Sequence, residues 1–277
     1  MILDSHQHFW RYDMQRHNWI NDEMAVIRRD FLPRDLLPLY TSHDIVGCIA
    51  VQAEQSEAEN DFLIGLAKDH PFIKGVVGWV DLRSPTLEES LQKYSDFPIM
   101  KGVRHIVQGE PDPNFLLRPD FKNGIAQLAQ YGHTYDILVF PHQLGAVLEF
   151  VKAFPEQRFV LDHIGKPYIR DGFYEGWATL MKAIGKCENV SCKISGMVTE
   201  ADYGKWTVEQ LMPYVELVME SFGTDRTMYG SDWPVCLVAA DYDKVLGTAK
   251  TLMQPLSTAE RERFWYKNAA MFYNIAD

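Results

Sequence analysis

Ile45-Val46-Gly47-Cys48-Ile49-Ala50-Val51 is an unbroken apolar run, not an alternating one. Such a run suits a strand buried on both faces, which is the habit of parallel sheets. Working outward, seven more β-rich runs recur: Ile2–Ser5, Gly75–Asp81, Ile99–His105, Tyr135–Phe140, Arg158–His163, Val190–Ser195 and Thr227–Ser231. Helix-like segments lie between them. Glu57 to Lys68 places Phe62, Leu63, Leu66 and Ala67 on one face. Thr86–Tyr94 follows Ser84-Pro85 and carries Glu88 and Glu89 in its first turn. Asn123–Tyr131, Gln143–Phe154, Gly176–Gly185, Thr207–Phe222 and Tyr242–Leu252 continue the pattern. The last segment, Ser257–Tyr273, opens with the capping box Ser257-x-x-Glu260.

Strand and helix thus alternate eight times, in units of about 35 residues, as in a (β/α)8 barrel of about 250 residues. A doubly wound sheet is the competing arrangement. It has fewer strands and often a Gly-rich first turn, and no G-x-G-x-x-G follows the first run here. The prediction is an α/β fold, a distorted (β/α)8 TIM barrel, as one domain over residues 1–277. The longest strandless stretch, Phe9 to Asp44, is rich in Trp, Tyr, Arg and Pro. It is expected to be a loop insertion over the barrel mouth.

Composition narrows the function classes. The 277 residues are 47% hydrophobic and 23% charged, with a net charge of −11. That is ample core for a globular protein and excludes a disordered chain, a collagen-like repeat or a disulfide scaffold. The acidic balance argues against nucleic-acid or anionic-membrane partners. The opening MILDSHQHFW has no signal-peptide apolar region, and no stretch approaches a membrane span. Cys48, Cys187, Cys192 and Cys236 form no C-x-x-C pair. A cytoplasmic location is expected; a homo-oligomer stays open.

In a parallel barrel, catalytic groups gather at the C-terminal strand ends. The first run leads into His6-Gln7-His8, and alternation puts both imidazoles on one side as a half-site for a divalent metal. The fourth ends Arg104-His105; a buried Arg is either ion-paired or aimed at a substrate oxygen. His142 lies just past the fifth run. The sixth ends Asp162-His163, with Lys166 a local positive charge beyond it. Lys193, inside the seventh, is either a barrel-interior ion-pair partner or a site lysine. The eighth leads to Asp232, a carboxylate that beside histidines can stay ionised and take a proton from water. A metal with an Asp base gives hydrolysis. Without metal, Arg104 and His163 would hold the carbonyl oxygen while Asp232 activates water.

These stretches carry a resemblance. Leu3-Asp4-Ser5-His6-Gln7-His8-Phe9-Trp10, Lys101-Gly102-Val103-Arg104, Pro141-His142-Gln143-Leu144, Leu161-Asp162-His163-Ile164-Gly165-Lys166-Pro167, Lys193-Ile194-Ser195-Gly196 and Tyr229-Gly230-Ser231-Asp232-Trp233-Pro234 resemble the amidohydrolase superfamily, in its amidohydrolase-2 branch. Within that branch the chain is most similar to sugar-lactone hydrolases of the L-fuconolactonase and L-rhamnonolactonase type. The resemblance implies His6, His8 and Asp232 as metal ligands, with His142 as a further ligand known from related decarboxylases. It implies Asp232 as the group that handles the water proton and His163 as the histidine that assists at the carbonyl. The superfamily's bridging carboxylated lysine has no counterpart, because Lys101 stands at the wrong end of its strand. One divalent ion at most, zinc first, is therefore expected, and metal independence stays open.

The expected reaction is opening of a sugar lactone to its aldonic acid. Asp232, His163 and Arg104 would be catalytic; Trp10, Arg11, His105 and Lys166 would contact a small-molecule substrate. The alternatives are a metal-dependent decarboxylase of an unsaturated acid, and a catalytically silent barrel that binds a sugar acid.

Overall fold

The computed structural model describes residues 1–276. Among the described residues, eight strands form one sheet in chain order: β1 Ile2–Gln7, β2 Ile45–Val51, β3 Ile73–Gly78, β4 Met100–His105, β5 Thr134–Ile137, β6 Phe159–Leu161, β7 Val190–Ile194 and β8 Thr227–Tyr229. Every ladder from β1 to β8 is parallel. The expected (β/α)8 barrel is therefore present. The last seam, between β8 and β1, carries no full ladder. It is closed at its C-terminal end by a parallel bridge between Gln7 and Trp233.

Seven helices lie where the apolar periodicity puts them, within a few residues. They are α2 Glu57–Asp69, α3 Leu87–Ser95, α4 Pro119–Leu128, α5 Leu144–Ala153, α6 Glu175–Ile184, α7 Val208–Phe222 and α8 Tyr242–Leu252. The first barrel helix, α1 at Pro33–Ser42, corrects the expected 9–44 loop. It hides behind Pro33 and Pro38. Pro33 suits a first helical position, and Pro38 forfeits one intrahelical bond without ending the helix. Leu36 and Tyr40 bury its inner face. The insertion over the mouth is thus residues 9–32. It is pinned by paired backbone bonds between Trp10 and Phe31 and by Phe31 packed edge-on to Trp233.

Alternation along the strands divides the apolar residues into two layers. Outward residues such as Cys48, Ala50, Tyr135, Ile137 and Cys192 pack against the helices. Inward residues Leu3, Ile49, Val51, Val77, Val160 and Met228 fill the barrel, where Ala269, Ala270, Phe272 and Tyr273 join them. The last three helical pieces, α9 Thr258–Glu262, a π turn over Arg263–Lys267 and α10 Asn268–Phe272, thus bring the chain's end against the barrel interior. The capping box is made, with Ser257 and Glu260 each accepting the other's backbone N–H. No helix is long and apolar enough to cross a membrane, among the described residues.

Candidate active site

The residues that close the barrel also build its site. Asp232 N–H donates to the His6 carbonyl at 2.8 Å, and His8 N–H donates to the Trp233 carbonyl at 2.7 Å. Beneath them, Asp4 Oδ1 accepts from Ser231 N–H at 2.8 Å, and Tyr40 from α1 donates to Asp4 Oδ2 at 2.8 Å. Gly230 permits the approach: a Cβ there would sit 2.8 Å from the His6 Cβ. On β1 a bulge sets the phase. Asp4 pairs with Cys48 but Gln7 with Ala50, so three steps on β1 face two on β2. The extra residue turns His6 inward, on the side of Leu3. Gln7 points outward and donates to Cys48 Sγ.

His6 and His8 therefore converge as alternation predicts, with their Nε2 atoms 3.2 Å apart. Asp232 Oδ1 lies 3.4 Å from His8 Nε2 and 3.9 Å from His6 Nε2. Outer partners orient both rings. His8 Nδ1–H donates to the Val51 carbonyl at 2.8 Å, and His6 Nδ1 lies 3.2 Å from Asp162 Oδ1. His163, in the turn just past β6, closes the group, its ring centroid 4.4 Å from that of His6 and its Nε2 3.9 Å from Asp232 Oδ1. Ser195 Oγ lies 2.8 Å from His163 Nδ1. Both His163 and Asp232 sit on left-handed backbone, at φ 55° and 56°. Such conformations cost about 1–3 kcal/mol each and cluster where function holds them. Gly196 must be glycine beside this ring, since a Cβ would strike His163 Nδ1 at 2.5 Å.

Burial sets the protonation states. It pushes His6 well below the usual histidine range and His163 down to about 4, although Asp162 opposes it at His6 and Asp232 at His163. Both rings are therefore neutral near pH 7. For Asp232 burial acts to raise the pKa, but His163, His8 and His6 outweigh it and hold the carboxyl well below its usual range. Asp232 is therefore ionised near pH 7, and a carboxylate in that form can accept a proton.

Below the histidines lies a buried layer of charge. Lys193 Nζ donates to Asp136 Oδ2 and Asp162 Oδ1, and stands 3.1 Å from His6 Nδ1. Tyr273, from the chain's end, donates to Asp136 Oδ2 at 2.7 Å. Burial acts to raise Asp162, yet Lys193, His6 and Arg104 keep it well below the normal carboxylate range. Lys193 is thus an interior ion-pair partner. Sequence reasoning gives no role to Asp136 or Ser195, and names Asp162 only as the neighbour of His163. One signal was present: β4, β5 and β7 each carry one charged residue at an inward step of a buried run, Arg104, Asp136 and Lys193.

The other expected site residues, catalytic Arg104, metal ligand His142 and the substrate contacts Trp10, Arg11, His105 and Lys166, stand apart from the tripod of His6, His8 and Asp232 or are engaged by the protein itself. Arg104 is 3% exposed and spends its donors on the protein: Nη1 to Asp162 Oδ2 at 3.0 Å and Nη2 to the Gln52 carbonyl at 2.6 Å. His105 alternates away and is held by Glu110 at 2.6 Å and a stack on Phe115. His142 is exposed beside Phe140 and Tyr168, because Pro141 starts a 3-10 turn that carries it off the strand axis. It is absent from the groups of His and acidic side chains close enough to share an ion, among the described residues. Trp10 is buried, donates to the Arg29 carbonyl and packs against Phe31 and Trp19, so it offers no open stacking face. Arg11 stays exposed on the 9–32 loop. Lys166 is neutralised by Glu200 at 3.1 Å. Lys101 donates to the Asn274 carbonyl at the far end of the barrel, as its position at the strand start implies.

The chain has well-defined relatives. A family model described as amidohydrolase matches residues 3–275. An L-fucono-1,5-lactonase of Burkholderia multivorans is 38% identical, covering 99% of this chain and 96% of its own length. The L-fucono-1,5-lactonase of Burkholderia ambifaria is 32% identical, covering 99% and 95%. A crystal structure of an amidohydrolase from Burkholderia multivorans with bound zinc superposes with a TM-score of 0.96 at 38% identity, over the full length of both chains.

Proposed function

The chain belongs to the amidohydrolase family, and from that premise we propose that it is a hydrolase that opens a sugar lactone, of the L-fucono-1,5-lactone type, to the aldonic acid. One observation carries the mechanism: the ionised Asp232 carboxylate faces three imidazoles at 3.4–3.9 Å at the C-terminal end of the barrel.

Asp232 Oδ1 takes the proton from the attacking water. Its N–H bond to the His6 carbonyl fixes it in place, so little reorganisation is needed. With Ser195 Oγ–H donated to His163 Nδ1, the His163 proton resides on Nε2, facing the reacting carbonyl. That N–H stabilises the tetrahedral oxyanion. Asp232, now protonated, returns its proton to the ring oxygen as the ester bond breaks. The barrel interior below is filled, so water and lactone enter only from the mouth beside the 9–32 loop.

The donor set fits a divalent ion. The three atoms His6 Nε2, His8 Nε2 and Asp232 Oδ1 are spaced 3.2–3.9 Å apart. Ligands at about 2.0–2.1 Å in a tetrahedron stand about 3.3 Å apart. His8 Nδ1–H is committed to a carbonyl, and Asp162 stands ready to take the His6 Nδ1–H, which leaves both Nε2 atoms unprotonated, each with a lone pair to offer. Such an ion, zinc by ligand type, would polarise the carbonyl and acidify water.

The test is proton release in weak buffer across a panel of aldonolactones, with spontaneous hydrolysis subtracted. Rapid acid formation from L-fucono-1,5-lactone and its close stereoisomers is expected. Silence across the panel, with zinc or manganese supplied, would overturn the reading.

A further inference from the structure

We infer that Arg104 is the site's internal competitor for the divalent ion, holding metal affinity down by occupying the His6 lone pair that an ion needs. The inference rests on the ligand tripod described above. Arg104 Nη1 lies 3.3 Å from His6 Nε2. The same nitrogen donates to Asp162 Oδ2 at 3.0 Å, and Nη2 donates to the Gln52 carbonyl at 2.6 Å. The guanidinium is 3% exposed and its charge is permanent. It is therefore a fixed cation beside one of the three candidate ligand atoms.

The competition follows from valence and charge. His6 Nε2 has one lone pair. When Asp162 accepts the His6 Nδ1–H, that lone pair serves either an Arg104 N–H or an ion, never both. An incoming ion must displace the Arg104 hydrogen and then bear a guanidinium charge nearby at low local dielectric. Asp162 couples the two, because Oδ1 meets His6 while Oδ2 holds Arg104. The layer beneath repeats the device. His6, Asp162 and His163 form a second cluster with metal-ligand spacing, but Lys193 Nζ already donates to Asp162 Oδ1 at 3.0 Å, a carboxylate oxygen an ion there would need. Among the described residues, a side-chain cation thus stands beside each of the two clusters with metal-ligand spacing.

Zinc affinity measured by competition with a chromogenic chelator tests this without reference to turnover. Arg104→Met should bind zinc at least tenfold more tightly than the wild type, while Arg104→Lys, which keeps a charge, should bind nearer the wild type. Unchanged or weaker binding by a folded Arg104→Met protein would overturn the inference and leave the tripod standing. Absence of zinc binding by wild type and variant alike would overturn the tripod too. If Arg104→Met does not fold, a crystal structure of the wild type soaked in zinc decides. Arg104 Nη1 should have left hydrogen-bond reach of His6 Nε2. An ion on His6, His8 and Asp232 with Nη1 still in place would refute competition.

Discussion

Asp232 and His6 are joined twice: the Asp232 N–H donates to the His6 carbonyl at 2.8 Å, and the Asp232 carboxylate lies 3.9 Å from the His6 imidazole. One is a bond that closes the barrel; the other is a contact of its chemistry. Closure of the last seam and assembly of the site are therefore the same event.

Asp232→Asn separates these two roles. Asn tolerates left-handed backbone and keeps the N–H, so the fold should persist. It cannot take a proton, and general-base assistance is worth roughly 10²–10⁴ in rate. We expect kcat to fall by about that factor with KM within a few-fold, read by proton release. Turnover near the wild type would show that another group is the base.

Ser195→Ala leaves His163 Nδ1 without its partner at 2.8 Å. The imidazole can then rotate and change tautomer. A loss of about tenfold in kcat is expected, equivalent to about 1.4 kcal/mol, with a changed pH profile. Ser195→Thr, which restores the hydroxyl, should recover part of the loss. An identical pH profile and rate in Ser195→Ala would remove Ser195 from the mechanism.

Lys193→Met leaves Asp136 and Asp162 facing each other without the ammonium between them. Breaking a buried pair from one side costs about 3–5 kcal/mol. Denaturant unfolding should show a loss of that order, and Asp136→Asn in the same chain should restore part of it. If the single and double variants unfold together, the two charges do not depend on one another.

His133, just before β5 and away from the site, has both ring nitrogens buried without a hydrogen-bond partner. Burial lowers its pKa from 6.5 to about 4. The fold thus favours the neutral ring. Its contribution is whole above pH 6.5, declines as pH falls toward 4, and is constant below that. The full swing is about 3 kcal/mol. Denaturant midpoints at pH 7 and pH 5 should lie closer together in His133→Leu than in the wild type. An equal pH dependence in both proteins would show that His133 does not titrate against the fold.

Much of this was legible in the chain because it is local. The run Ile45–Val51 reads as a buried strand since its neighbours in sequence are its neighbours on the strand. His6 and His8 share a side because side chains alternate. The capping box at Ser257 and Glu260 spans three residues and forms as written. Helix α1 was hidden by a local rule with an exception, the two prolines. The site contacts were harder. Arg104 and His105 are adjacent, and their chain positions do not say that one faces a carboxylate inside the barrel and the other a glutamate on its rim.

By itself, then, the amino-acid order determined the alternation of elements, the barrel, and the kinds of chemical group that end its strands. Tertiary structure alone decided which of those groups meet. His6 and Asp162 are 156 positions apart, and only closure brings them to 3.2 Å. The bulge that turns His6 inward is a mismatch between two strands, so neither strand encodes it alone. The partners of Arg104 and Lys193 follow from the same fact. Inside a barrel, a charge must find its counter-charge across the interior, and that distance is set by the fold.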